Sequence, residues 1–510
     1  MKKLAIWVSI AILTSAFGSC IGKPENSGKI AIDEKHITIA AVGDTLMHRG
    51  VHLSADKLID SSIRDPYLRV ASGFEALFEE VKNHITKANI AFANLETPLA
   101  EGLTRERYND ESGRPLCKEM EVDPGKLYDD RAYSITPGKY RFNTHPAFAL
   151  ALKNMGFDIV STANNHATYR ASNGIDKTID ALREADLDYV GTLKYDEIVD
   201  EDKDGYPDNI PYVIKEAKGI RIAFFAWTSP LNGFGGQSAA PDKYHQVYSI
   251  ISSSLDRGID SAVFNYLIDM LFNINKLSEL DLWNYVEWIK KAKEDKSIDL
   301  IVVSSHFGLE NINEPSPFQK DIAHILFEAG ADIVLGGHPH VIQPMERYIT
   351  SDGRETFVIY SLGNFIAEWG KEPSINPLTS VILYIGVSKT PDGTFVKDVD
   401  YIPIFSYKRS GTIKVVPVDK YPELSECRNL IEKVFSGDRT ARLQITMKYF
   451  LEDPSDVFMH QGDLFWEIYA IVRIRGPLAF RPICNLVTVG GFGGFGGFVT
   501  VKTYAIESPS

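Results

Sequence analysis

Cysteine is scarce. Four residues, Cys20, Cys117, Cys427 and Cys484, are scattered through 510 positions. Such spacing makes neither a zinc ribbon nor a disulfide framework, and Cys117, Cys427 and Cys484 read as buried or inert thiols. Positive charge is also in deficit: 54 Lys and Arg stand against 68 Asp and Glu, a formal net charge of -14. That balance argues against nonspecific nucleic-acid binding, and against an anionic membrane surface as the main partner. Beyond the first twenty residues no apolar run is long enough to span a bilayer. What remains is the composition of a soluble globular protein, 44% hydrophobic and 24% charged. Its length suits one large domain with an extension, or two or three domains.

The N-terminus is the exception to this pattern. Lys2-Lys3, an apolar run from Leu4 to Phe17, and small residues Gly18-Ser19 before Cys20 form the pattern of an export signal. Small residues directly before a cysteine resemble a bacterial lipobox, with Cys20 lipidated as the mature N-terminus. Phe17 stands where an aliphatic residue is usual, which leaves plain cleavage as the alternative. The polar segment 21–36 suits a tether between membrane and domain. The expectation is an exported, envelope-located and membrane-anchored lipoprotein.

From His36 onward, short apolar runs alternate with helical spacing. Runs at His36–Val42, Ile90–Ala93, Phe157–Val160, Leu187–Val190, Ile220–Trp227, Asp299–Val303, Ile333–Leu335 and Phe357–Tyr360 read as strands, several of them buried on both faces. Helices are expected over Phe74–Lys87, Pro146–Met155, Asn173–Ala185, Asp281–Lys293 and Phe318–Ala329. The alternation predicts an α/β domain over 37–405 with a layered sheet core. Two stretches, about 101–139 and 230–280, read as insertions. Residues 406–510 read as an extension of unknown role, ending in the low-complexity run Gly490–Phe498.

The chemistry lies where the strands stop. Six apolar runs end in groups able to bind metal or protons: Asp44, Glu96, Asn165-His166, His306, His338 with His340, and Asn364. His338 and His340, one residue apart and stiffened by Pro339, can serve one metal or two adjacent ones. A single Asp or His after a strand is more often a turn or capping residue, and His48, His52, His84, His145, His245, His324 and His460 are left as such. Six repetitions are another matter. If the ends converge on one sheet edge, hard oxygens mixed with imidazole and free of thiolate suit Mn, Fe or Zn. A carboxylate such as Glu96 could bridge two ions.

Gly43-Asp44-Thr-Leu-Met-His-Arg49, Asn94-Leu-Glu96, Ala163-Asn-Asn-His166, His306-Phe-Gly308, Gly337-His-Pro-His-Val341 and Ser361-Leu-Gly-Asn-Phe365 occur in the order found in the CapA family. This capsule, or poly-γ-glutamate, synthesis family is similar to the calcineurin-like metallophosphatases. The resemblance implies a metallophosphatase-like two-sheet sandwich flanked by helices, with a C-terminal extension. It implies a divalent transition metal, two ions in all, with Asp44, Glu96 and His340 around one. Glu96 would bridge to a second ion on Asn165, His306 and His338. His166 would act as general acid or electrostatic donor, Arg49 would hold an anionic group, and Asn364 would support the site or touch substrate. Position 46 is Leu where many metallophosphatases carry histidine, an absence the CapA family shares. The partners implied are an envelope polymer or its precursor and a membrane poly-γ-glutamate synthase complex. An envelope phosphoesterase unrelated to that polymer, or a non-catalytic scaffold subunit, are the alternatives.

Overall fold

The computed structural model describes residues 34–123, 142–199, 201, 212–229, 279–369, 375–436, 483–492 and 495–505. The export signal, Cys20, nearly all of the tether and most of the 230–280 stretch lie outside the described residues.

The chain opens on β1 (Lys35–Thr45), followed by α1 (Arg49–Lys57), α2 (Pro66–Glu75), α3 (Lys82–Ile85) and β2 (Ile90–Asn94). The helix expected over Phe74–Lys87 is therefore two. The first starts earlier, where the Asp65 side chain accepts the Leu68 amide and Pro66 takes the first turn. After the hairpin β3 (Leu103–Asn109) and β4 (Pro115–Glu119) come α4 (Ala147–Asn154), β5 (Ile159–Ser161), α5 (Ala171–Glu184) and β6 (Asp188–Val190). The second half runs β7 (Tyr212–Ala217), β8 (Ile220–Thr228), α6 (Glu279–Glu294), β9 (Leu300–His306), α7 (Pro317–Ala329) and β10 (Ile333–Gly337). It continues through β11 (Met345–Ile349), β12 (Glu355–Ile359), β13 (Asn364–Ile366), β14 (Thr379–Thr390), β15 (Gly393–Arg409), β16 (Thr412–Pro417) and α8 (Ser425–Phe435).

These strands make two mixed sheets. One has the order β16-β15-β14-β1-β2-β5-β6, with β13 also paired to β1; the other has the order β11-β12-β10-β9-β8-β7. Strands β1, β2, β5 and β6 are parallel, as are β8, β9, β10 and β12. The sheets face each other across one apolar layer. Ile39, Ala41, Ile90, Phe92 and Leu383 of the first meet Ile222, Phe224, Val302, Ile333 and Leu335 of the second. The alternate residues point outward and are buried as well. Ala40, Val42 and Ala91 pack with Val51, Val70, Phe74, Phe148 and Leu152 of α1, α2 and α4. Phe225, Ile301 and Val334 pack with Ile289, Ile322 and Leu326 of α6 and α7. Burial on both faces is why these strands read as continuous apolar runs. The expected sandwich flanked by helices is the fold observed.

Three boundaries differ from the sequence reading. The stretch from 101 holds the β3–β4 hairpin, docked by Asn173, whose side chain bonds the Cys117 amide (2.9 Å) and carbonyl (2.9 Å), and burying Leu103 and Cys117. The extension expected from 406 begins inside β15. That strand and β16 complete the first sheet, and Ile431 and Val434 of α8 join the inner core. No polar motif ends β14, β15 or β16, so these strands carry no signal of the kind that marks the others. Residues around the Gly-Phe run form a separate antiparallel hairpin, β17 (Ile483–Phe492) with β18 (Phe495–Ala505). Among the described residues no helix is long and apolar enough to cross a membrane.

Candidate metal centre

The parallel strands of both sheets bring their C-terminal ends to one edge. Asp44 on β1 pairs in register with Asn94 on β2 and with Asn364 on β13. Across the sandwich, Gly337 on β10 pairs with His306 on β9. The glycines that seemed to end the Ile333–Leu335 run are strand residues. A Cβ on Gly337 would stand 2.6 Å from Asp44 Oδ1, so its lack of a side chain lets the two sheets close on the site. His338 and His340 follow with φ of +93° and +57°. Left-handed backbone at two non-glycine residues costs of order 1–3 kcal/mol each. Asp44 Oδ2, accepting the His338 amide at 3.1 Å, and Pro339 O, accepting the Asn311 amide at 2.7 Å, hold it in place.

Asp44, Glu96, Asn165, His166, His306, His338, His340 and Asn364 are all buried. Asn94 Nδ2 donates to Asp44 Oδ1 at 2.8 Å and lies 3.2 Å from His306 Nδ1. His306 Nε2 lies 3.0 Å from Asn165 Oδ1 and 3.4 Å from Glu96 Oε1. His166 Nε2 is also 3.4 Å from that oxygen, and His340 Nδ1 is 3.3 Å from Asp44 Oδ2. Among the described residues three groups bring one donor atom each to within 4.8 Å of one another: Glu96-His306-His338, Asp44-Glu96-His340 and Glu310-His338-His340.

Two of the expected residues stand apart from the donor cluster. Asn364 is fully buried. Its Oδ1 lies 3.0 Å from His340 Nδ1, and its Nδ2 donates to the carbonyls of His340 and Pro377. Both hydrogens of its amide are thus engaged, and its oxygen orients His340. Arg49 lies exposed at the start of α1, outside the buried group. Glu310 was not among the expected residues. Its signal is a carboxylate four positions after a strand-end histidine, with Gly308 turning the loop between them at φ +101°. Leu46 packs in an apolar cluster with Phe142, Tyr169 and Ala367. Phe142 and Tyr169 also stand edge-on to His166, each 4.6 Å between ring centres.

The electrostatics are those of a buried donor cluster. Burial pushes Glu96 well above the ordinary carboxylate range, and Asp44 beside it adds to the rise. Burial would raise Asp44 as well, but its contacts with His340, His306 and Asn94 hold it at about 2. Burial, then neighbouring histidines, press His338 and His166 well below the usual imidazole range; burial brings His306 to about 4. Burial would lower His340 too, yet Glu96 and Asp44 bring it to about 10.

Both Glu96 oxygens, His338 Nδ1 and Asn165 Nδ2 are buried with no hydrogen-bond partner. Leaving a carboxylate so is expensive, whereas a divalent cation would satisfy it. Imidazoles, carboxylates and a carboxamide without thiolate form a donor set that fits such an ion, with the His340 proton released on binding.

Residues 38–118 and 128–368 match the family described as bacterial capsule synthesis protein PGA_cap. The chain belongs to that family. It is 29% identical over 340 residues to the capsule biosynthesis protein CapA of Bacillus anthracis, covering 66% of this chain and 61% of that protein. It is 28% identical over 239 residues to the PGA biosynthesis protein CapA of Bacillus subtilis, covering 47% of this chain and 50% of that protein. The PGA_cap chain thus spans half to three-fifths of the length of these two relatives. Among solved structures, a novel phosphatase from Mycoplasma pneumoniae aligns with 77% of this chain and 97% of its own. At 11% identity and a TM-score of 0.33, that likeness carries no functional weight.

Proposed function

We propose that this PGA_cap protein is a metal-dependent enzyme of capsule or poly-γ-glutamate assembly, acting at a phosphate-like or acyl centre of an envelope polymer or its precursor. The observation that carries this reading is the sharing of Glu96 between two buried donor triads, with both of its oxygens lacking a donor. One ion would be held by Asp44, Glu96 and His340, and the other by Glu96, Asn165, His306 and His338. The donor set favours Mn, Fe or Zn. Such a pair would supply Lewis acidity and activate water near neutral pH.

The chain's own residues do the rest. Asn364 fixes the His340 ring. His166, kept neutral by burial and confined between Phe142 and Tyr169, accepts or donates a proton beside Glu96. Arg49, exposed at the start of α1, supplies positive charge for an anionic group. A membrane polymer synthase as partner and anchoring through Cys20 belong to the same reading; the motif order and the N-terminal pattern support them.

The test is turnover of phosphate-ester and acyl-ester probes by the metal-loaded protein. His166→Ala is expected to lower kcat by about 10²–10⁴-fold while metal content stays that of the wild type. Full turnover after His166→Ala would refute the proton-transfer role. Undiminished capsule formation in cells carrying that variant would favour the non-catalytic scaffold.

A further inference from the structure

Glu310 differs from the other acids of the site. Asp44 and Glu96 are fully buried, whereas Glu310 is exposed, yet its carboxylate comes within 4.8 Å of donor atoms on both His338 and His340. Its loop is not loosely placed. Asn311, the next residue, donates its amide to Pro339 O at 2.7 Å, between the two histidines. Gln343 Nε2 donates to Ile312 O at 2.8 Å, and its Oε1 accepts from Gln319 Nε2 at 2.8 Å, both glutamines being fully buried. The backbone carrying Glu310 is thus tied to the His338-Pro339-His340 segment.

The Glu310-His338-His340 group overlaps the other two, sharing His338 with one and His340 with the other. A neutral imidazole offers a single lone-pair nitrogen, so each of these histidines serves one ion. The third group is therefore not a separate site. It is a second way to reach the same ions, from the solvent side.

We propose that Glu310 is a solvent-side, exchangeable ligand to the ion held by His338 or His340, and that an anionic oxygen of the substrate takes its place. This assignment rests on the two-ion reading above. Exchange suits this residue because an exposed carboxylate regains water when it withdraws, whereas Glu96 has only the buried interior to face.

The experiment is equilibrium dialysis of the full chain against manganese(II), and in turn zinc(II), in buffer free of coordinating anions, with bound metal counted by mass spectrometry. Glu310→Gln is expected to weaken retention of one ion by about 10-fold or more, and added acetate is expected to restore it by filling the vacated position. The metal-free variant should unfold at the wild-type temperature, since the residue is exposed. Wild-type retention in Glu310→Gln, or a loss that acetate leaves unrepaired, would overturn the assignment. Glu96→Ala in parallel separates the two levels. If it loses metal while Glu310→Gln does not, only the Glu310 role falls. If it too binds as wild type, the shared-ion reading falls with it.

Discussion

Glu96→Ala is expected to empty the site of its ions and abolish turnover, while leaving the metal-free protein no less stable than the wild type. The two halves follow from one fact: a fully buried carboxylate with no hydrogen-bond donor on either oxygen. With metal, it is the only carboxylate common to both buried triads. Without metal, it is a desolvated acid whose pKa is raised by burial and then by Asp44. A carboxyl with a raised folded-state pKa binds more protons folded than unfolded. Its stabilising contribution is present below the ordinary carboxylate range and is lost as pH rises through the folded pKa. At pH 8 the alanine variant without metal should therefore melt at or above the wild type. Adding metal reverses the order, because each ion at 100 times its Kd stabilises the wild type by about 2.7 kcal/mol. Calorimetry of both proteins with and without manganese(II) checks this. A variant melting lower in both conditions would make Glu96 a structural residue.

Gly336→Ala is expected to destabilise the whole sandwich by about 3 kcal/mol or more, at the upper end of overpacking effects. A Cβ there would stand 1.9 Å from Tyr360 O and 2.8 Å from Ile359 O, backbone atoms of the last residue of β12 and the one after it. That backbone has nowhere to retreat. The Leu362 amide donates to Gly336 O, the Tyr360 amide donates to Pro344 O, and β12 is in register with β10 along Ile333–Leu335. Gly353 offers the contrast. Nothing lies within 4 Å of its Cβ position, so alanine there should cost only the left-handed backbone penalty of about 1–2 kcal/mol. Urea unfolding of the two variants checks the difference. Equal losses would show that the β10–β12 approach is not the constraint.

What the sequence showed, and what it hid, divides along burial. Strands covered on both faces, such as Ile90–Asn94, Leu300–His306 and Ile333–Gly337, are buried at every position and open on apolar runs, and were legible. Strands with an open face were not: β11, at a sheet edge, is wholly half-buried or exposed, and β15, inside the first sheet, is exposed or half-buried over most of its length, so neither carries a continuous apolar run. The site follows the same rule. Asp44, Glu96, His306, His338 and His340 stood out because each polar group closes an apolar strand, and the structure brings them together. Glu310 sits on an exposed loop beyond His306, where carboxylates are commonplace, and only its distance to His338 and His340 distinguishes it. Asn364 was legible as a site residue but not as the partner of His340, since that role depends on the β1–β13 pairing. The left-handed backbone at His338 and His340 has no sequence signal, because neither residue is glycine.

The most direct measurement is anomalous diffraction from crystals of the manganese-loaded protein, recorded at the metal edge. Two peaks are expected, one beside Asp44 and His340 and one beside His306 and His338, with the Glu96 carboxylate between them. A single peak, or two that do not share Glu96, would contradict the bridged centre on which the proposed chemistry rests.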